Sequence, residues 1–188
     1  MLAYRRPKNL KEMIGSNNIL NNKVIRKTPT IKTIKFCKPC NVRNSLCCNH
    51  LKSTNSFTSF VTKNTYKIYH ESNCKSKNVI YLLECTRCSK QYVGKSEWPF
   101  NFRLNNYRHR IKSTDYDKLL PVEQHFRLAN HDFSTDAKFT IIEKIEKNVS
   151  DEITFILESH EDNWMLRLKT LSPNGLNSKL NHPENIRL

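Results

Sequence analysis

Acidic residues are scarce in the first part of this sequence: residues 1–77 hold 2 Asp+Glu against 16 Lys+Arg. Residues 78–188 hold 15 against 16, so nearly all of the formal net charge of +15 lies in the first part. A block with so few acids cannot neutralise itself. It favours a phosphate-bearing partner through counterion release, and the same composition also suits a solvated basic linker. Long apolar runs are missing too. No stretch reaches the roughly 20 apolar residues of a spanning helix, which excludes a helical membrane anchor, and "MLAYRRPKNLKEMIG" lacks the apolar centre of a signal peptide. The seven cysteines are an odd number, bunched in close pairs beside histidine. That argues against a disulfide framework and for metal ligation in a reducing compartment. The expectation is an intracellular protein without a membrane partner. With 188 residues, 37% of them hydrophobic, the chain can bury a core over part of its length.

Residues 1–36 are rich in Asn, Lys and Arg, interrupted by Pro7 and Pro29, and read as a partly ordered basic arm. Residues 37–77 form a Cys/His-rich segment. Cys37 and Cys40 have the two-residue gap that lets two thiolates grip one metal, and Cys47 or Cys48 with His50 could complete a tetrahedral zinc site. Spacing does not choose between Cys47 and Cys48. Alternation through Phe57, Phe60, Tyr66, Ile68 and Tyr69 predicts short strands. Cys85 and Cys88 make a second CxxC, which Cys74 and one ligand of the first cluster could complete, so one shared zinc and two separate zincs both stay open. The role expected of zinc is structural, because a closed thiolate shell leaves no position for water.

The chain is organised around residues 78–108, "NVIYLLECTRCSKQYVGKSEWPFNFRLNNYR". VIYLLE reads as a buried strand and KQYVG as an alternating one ending on Gly94, where a side chain would block the backbone. Phe100, Leu104, Tyr107 and Ile111 then recur at helical spacing. This arrangement could gather Tyr81, Tyr92 and Arg103 around one phosphate. Lys95, three residues after Tyr92, could lower that phenol from its reference pKa near ~10. Read singly, the two tyrosines are more often core aromatics and Arg103 a solvated helix charge.

Farther on, "VEQHFRLANH" predicts a short helix starting at Pro121, with Val122, Phe126 and Leu128 or Ala129 inward. His125 and His131 invite a metal reading, but without a tight cluster in the sequence they are assigned to packing or DNA contact. "KFTIIEKIEK" predicts a strand burying Phe139, Ile141 and Ile142. Ser150 is expected to cap a long helix, with Asp151 and Glu152 in its first turn and Ile153, Ile156, Leu157, Trp164, Leu168 and Leu171 on its packed face. Pro173 and Gly175 would close it. The order ββααβα gives an α+β fold: a small three-stranded antiparallel sheet flanked by helices, spanning 78–180, with 181–188 as a tail.

VIY, then YVG, then an arginine on the next helix resembles the GIY-YIG nuclease family. More narrowly, "CSKNVIYLLECTRCSKQYVGKSEWPFNFRLNNYR", "EQHFRLANHDF", "FTIIEKIE" and "EDNWMLRLKTLSPNGLN" are similar to the C-terminal endonuclease of Penelope-like retroelements, in order through residues 74–178. "YRRPKNLKEM" resembles the segment that links polymerase and nuclease in those elements, so the chain looks like the tail of a longer ancestor or a truncated copy. The resemblance implies a metal-dependent DNA endonuclease with Tyr81 and Tyr92 as motif tyrosines, Gly94 as motif glycine and Arg103 as the helix arginine. It makes Lys95 a match to the excision-repair branch and Tyr107 a base or proton relay. Glu161 becomes the ligand of Mg²⁺ or Mn²⁺, and Asn177 the asparagine that closes the site. Periodicity does not separate Glu161 from Glu158 and Asp162; only the motif does. The implied partners are DNA, with RNA as a further candidate, and the reverse-transcriptase portion of a parent element; the implied location is the nucleus. The rivals are a catalytically inactive, zinc-stabilised nucleic-acid-binding remnant and a protein-interaction adaptor.

Overall fold

The near-continuous apolar run VIYLLEC, buried at every residue but Glu84, makes the central strand of the sheet, with a strand paired along each edge and helices over its faces. The computed structural model describes residues 33–43, 45–113, 119–146 and 152–185. The arm at 1–32, the cap Ser150 with Asp151, and the last three residues of the tail lie outside them. Two short strands come first, β1 (Ser56–Thr58) and β2 (Thr65–Lys67), paired as an antiparallel ribbon. Then follow β3 (Val79–Cys85), β4 (Gln91–Ser96), α1 (Phe100–Ile111), α2 (Pro121–His125), α3 (Phe133–Asp136), β5 (Ala137–Lys144) and α4 (Ile153–Leu168). The main sheet is antiparallel in the order β4–β3–β5. The fold is thus α+β around a three-stranded sheet; the expected short strands around Phe57 and Tyr66 form the β1–β2 ribbon, and the one-turn helix α3 is additional.

Register explains which residues can meet. Tyr81 sits opposite Gly94 on one side and Ile141 on the other, and Leu83 opposite Tyr92 and Phe139. These residues share one face by strand alternation, and α1 packs on it, with ring contacts from Phe100 to Tyr81 and from Tyr107 to Phe139. A bulge between Ile80 and Tyr81 shifts the β5 register, so Glu143 shares the other face with Ile80. There α4 lies, with Trp164 Nε1 donating to Glu143 at 2.6 Å and Lys95 paired to Glu158 at 3.1 Å.

Both outer edges of the sheet are covered. On β5, Phe139 N–H donates to His50 O and Lys52 N–H donates to Phe139 O. On β4, Asn177 accepts from Val93 N–H and donates to Val93 O at 2.9 and 2.8 Å, and Leu176 N–H donates to Gln91 O. The Cys/His segment and the C-terminal segment are therefore bonded into the sheet. All described residues belong to one compact unit that begins at Thr33.

Three expectations need correction. Leu128 and Ala129 face outward, because α2 ends at His125; the buried residues of that turn are Val122, Glu123, His125 and Phe126. The long helix stops at Leu168, since Lys169 takes a left-handed conformation (φ 55°), which leaves Leu171 beyond it. Glu152 is its N-cap, without a side-chain capping bond. Among the described residues, no helix is long and apolar enough to cross a membrane.

Candidate functional site

Two buried phenols and a half-buried guanidinium meeting at one point define the site. Tyr81 and Tyr107 are both fully buried, and their hydroxyls are 2.8 Å apart. Arg103 Nε donates to the Tyr81 hydroxyl at 3.0 Å, and the guanidinium lies 4.9 Å from the centre of the Tyr107 ring. Arg103 and Tyr107 are four residues apart on α1 and so project from the same side of it. Tyr92, on β4, lies within electrostatic reach of Tyr81, Tyr107 and Arg103. Five of the expected residues thus meet: Tyr81, Tyr92, Arg103, Tyr107 and Gly94.

Gly94 is needed for space rather than for an unusual dihedral; no glycine among the described residues has a positive φ. A Cβ at Gly94 would stand 2.4 Å from the Tyr81 hydroxyl, 2.5 Å from Tyr81 Cζ and 2.7 Å from Tyr92 Cε1. The bare backbone lets the two phenols converge.

Electrostatics corrects the expected role of Lys95. Burial pushes Tyr81, Tyr92 and Tyr107 above the ordinary phenol value, and Arg103 opposes the shift in each case. The cation next to the phenols is Arg103, itself held above its usual range, chiefly by the Tyr81 oxygen and against desolvation. Lys95 instead bridges Glu158 at 3.1 Å and Glu97 at 3.5 Å. Three residues along a strand place its side chain on the opposite face from Tyr92.

Glu161 is buried on α4 within electrostatic reach of Arg103 and Tyr92. Burial raises its carboxyl to about 7, against the hydrogen bond from Asn181. Its two competitors are committed elsewhere. Asp162 accepts from the backbone N–H groups of Asn181 and His182, both at 2.8 Å, and from Asn181 Nδ2 at 2.9 Å. Glu158 pairs with Lys95 and with His182, at 3.1 and 2.9 Å. Asn181 Nδ2 also donates to Glu161 Oε2 at 2.9 Å. Residues 181 and 182, read from sequence as the start of a tail, therefore orient the acidic face of α4. Asn177 touches the backbone of β4, as described above, and fixes the strand that carries Tyr92 and Gly94.

No family model, curated protein or solved structure matches this chain. What the site can do rests on its own geometry.

All seven cysteines are free, and five of them fall in two groups that could hold a metal ion such as zinc. In the first, Cys85, Cys88, His125 and His131 offer ligand atoms within 4.8 Å of one another. Cys88 Sγ lies 3.6 Å from His125 Nε2, and the two imidazole rings are 4.3 Å apart. Both ring nitrogens of His131 are buried without a hydrogen-bond partner among the described residues. A buried imidazole with no partner is costly, and a Cys₂His₂ shell would satisfy it. Burial, and then the neighbouring His131, lowers His125 to about 4, so it is neutral and able to ligate at neutral pH. This corrects the assignment of His125 and His131 to packing. The pattern C-x2-C with H-x5-H is legible in the sequence, but 36 residues, including all of α1, separate its halves.

In the second group, Cys40, Cys48 and Cys74 come together, with Sγ separations of 3.6 Å (Cys40–Cys48) and 3.8 Å (Cys48–Cys74). Two thiolates on one zinc, each about 2.3 Å away, stand about 3.8 Å apart in a tetrahedron. The neighbouring Cys47 lowers the Cys74 thiol to about 5, while Cys74 and burial push Cys47 up. Two residues expected here are elsewhere. Cys37 Sγ accepts from Ile141 N–H at 3.4 Å, because a strand-like bridge to Thr54 turns it toward β5. His50 Nδ1 contacts Ala137 O at 2.9 Å while its ring packs on Phe133. Cys74 joins the first cysteine cluster and not the hairpin CxxC, so the two groups are separate.

The second group reaches the site through the backbone. Cys74 O and Ser76 O accept from Asn101 and Phe100 N–H, the first donors of α1. The loop that holds the thiols thereby fixes the helix that carries Arg103.

Proposed function

We propose that this chain is a metal-dependent DNA endonuclease of GIY-YIG type, with the fold, retroelement kinship and site roles which that implies. The observation that carries the reading is the contact of Arg103 with Tyr81 and Tyr107 beside Tyr92 and Glu161. Packing alone does not account for it, because burying a guanidinium costs free energy that an aliphatic side chain would not. A phosphodiester supplies the missing anion.

Hydrolysis needs an attacking water, stabilisation of charge on the phosphate and a proton for the leaving oxygen. Arg103 donates to the non-bridging oxygens with a planar fork suited to phosphate. The raised phenols hold their protons, so Tyr81 and Tyr92 act as hydrogen-bond donors. The Tyr81 and Tyr107 hydroxyls, 2.8 Å apart, share a hydrogen bond that orients the Tyr81 hydroxyl beside Arg103. Glu161 titrates at about 7 and accepts a proton above that pH. Its carboxylate also fits a hard divalent cation, since Asn181 engages Oε2 and the site offers one protein carboxylate, the ligand economy that Mg²⁺ favours. Mg²⁺ or Mn²⁺ held by Glu161 would supply Lewis acidity toward the phosphate. Zinc at the two Cys/His groups would be structural, and the basic residues 1–36 would add phosphate contacts in the nucleus. Nicking would furnish a 3′ hydroxyl for target-primed reverse transcription by a parent element.

A second reading has its own support: no phenol is poised to take a proton at neutral pH. It makes the chain an inactive, zinc-stabilised nucleic-acid-binding remnant. Supercoiled plasmid with Mg²⁺ separates the two. Conversion to open circles by the wild type, and not by Arg103→Ala or Glu161→Ala, is expected. If all three bind the plasmid, fold and retain zinc, yet none nicks it, the endonuclease reading falls and the remnant stands.

A further inference from the structure

Arg103 lines a groove of about 340 Å³ whose other walls are Lys95, Ser96, Glu97, Trp98, Phe102 and Asn106. Its two aromatic residues are the ones a folded chain would be expected to cover. Trp98 is 70% exposed and Phe102 53% exposed. Neither sits on a loose segment. Ser96 Oγ donates to Trp98 O at 2.8 Å, Pro99 starts α1, and Phe102 N–H donates to Pro99 O at 2.9 Å. The backbone holds two large rings in water at fixed positions.

The charge around them selects the occupant. The helix that carries Phe102 (residues 100–112) contains Arg103, Arg108, Arg110 and Lys112 and no Asp or Glu; Arg103 lines the groove itself, and Arg110 pairs with Glu123 of α2 at 2.9 Å. Glu97 is the one carboxylate on the groove wall, and Lys95 at 3.5 Å and Thr154 Oγ1 at 3.0 Å both engage it. Asn105 and Asn106 extend the exposed face of α1 with amides able to meet base edges. Apolar rings set among cations and amides suit nucleobases, which stack on aromatics while their phosphates meet the charges. An apolar protein face would leave those cations desolvated.

We propose that Trp98 and Phe102 form a stacking platform for one unpaired nucleobase of a DNA strand, adjacent to the phosphate that Arg103 engages. This rests on the nuclease reading for the position of the phosphate. It adds a substrate class: DNA in which a base at the cleaved step is unstacked by a bulge, nick, flap or single-stranded stretch. A fully paired duplex would have to open a base at a free-energy cost before it could use the platform.

The test uses the full chain without Mg²⁺, so that strands stay intact, and three oligonucleotides at one salt concentration: a paired duplex, the same duplex with a single thymine bulge, and a single strand. The chain has two tryptophans, and Trp164 is half-buried against Glu143. Quenching that is present in the wild type and lost in Trp98→Phe therefore reports on Trp98. The bulged duplex and the single strand are expected to quench Trp98 and to bind roughly 5- to 150-fold more tightly than the paired duplex. Trp98→Ala with Phe102→Leu should abolish that preference and leave the salt dependence and zinc content unchanged. Absence of quenching by the bulged strand, or an unchanged preference in the double variant, overturns the platform. So does self-association of the wild type that the double variant abolishes, because a second copy would then cover the rings. Quenching without plasmid nicking keeps the platform and removes the nuclease; nicking without quenching does the reverse.

Discussion

Glu161→Gln should make the chain more stable at alkaline pH, although it removes the charge that Asn181 donates to. The buried carboxyl titrates at about 7, whereas an ordinary glutamate titrates at 4.5. A raised acid pKa means that the folded state holds a proton which the unfolded state releases. The associated stability is fully present below pH 4.5, is lost as pH rises from 4.5 to 7, and stays lost above that. A shift of this size corresponds to about 3 kcal/mol, at roughly 1.4 kcal/mol per pKa unit. With Glu161 5% exposed, solvent screening takes little from that figure. Glutamine keeps the shape and the Asn181 contact but has no proton to lose. Urea denaturation from pH 4.5 to 8, with zinc present and Mg²⁺ absent, should show the wild type falling relative to the variant by about 3 kcal/mol. Other groups titrate in this window, but they are common to both proteins and cancel in the difference. Mg²⁺ added at pH 8 should restore the wild type and leave the variant unmoved. Parallel curves across the window would refute the reasoning, since Glu161 would then be ionised throughout and solvated.

Gly94→Ala should cost about 1–3 kcal/mol, the usual range for overpacking, because its Cβ would fall inside contact distance of both motif phenols. Thermal melts should show the loss, and any nicking activity should fall further than in a surface variant of equal stability. For zinc, Cys88→Ala or His131→Ala should each remove one equivalent of bound metal, and Cys40→Ala another. Cys37→Ser and His50→Ala should leave the metal content intact, as measured by elemental analysis of the purified protein.

The sheet was legible because VIYLLE and KFTII are runs in which nearly every residue is buried, a pattern that local sequence states directly. The Tyr81, Tyr92, Arg103 and Gly94 cluster was legible through its spacing. What stayed hidden depends on long-range closure. His125 and His131 look unremarkable beside Pro121–Phe126, and only the fold returns them to the Cys85–Cys88 hairpin. Cys37 and Cys40 look like a ligand pair, yet the Thr54 bridge turns Cys37 onto Ile141 and leaves Cys40 to partner Cys48 and Cys74. Lys95 is close to Tyr92 in sequence but lies on the other face of the strand. The roles of Asn181 and His182 carry no local signature, since a polar residue near a chain end reads as solvated until α4 is placed against it.

The residues that cover the two outer strands also govern how copies of the chain meet. A three-stranded sheet with bare margins would offer unpaired amides to any neighbour, and a chain with so much β-branched sequence would be prone to stack into fibres. Here His50 and Lys52 occupy the amide and carbonyl of Phe139, and Asn177 occupies those of Val93. The β5 edge is closed by backbone, and the β4 edge by the Asn177 side-chain amide together with Leu176 N–H on Gln91 O. Loss of the Asn177 amide would expose the Val93 N–H and C=O on that edge to another strand.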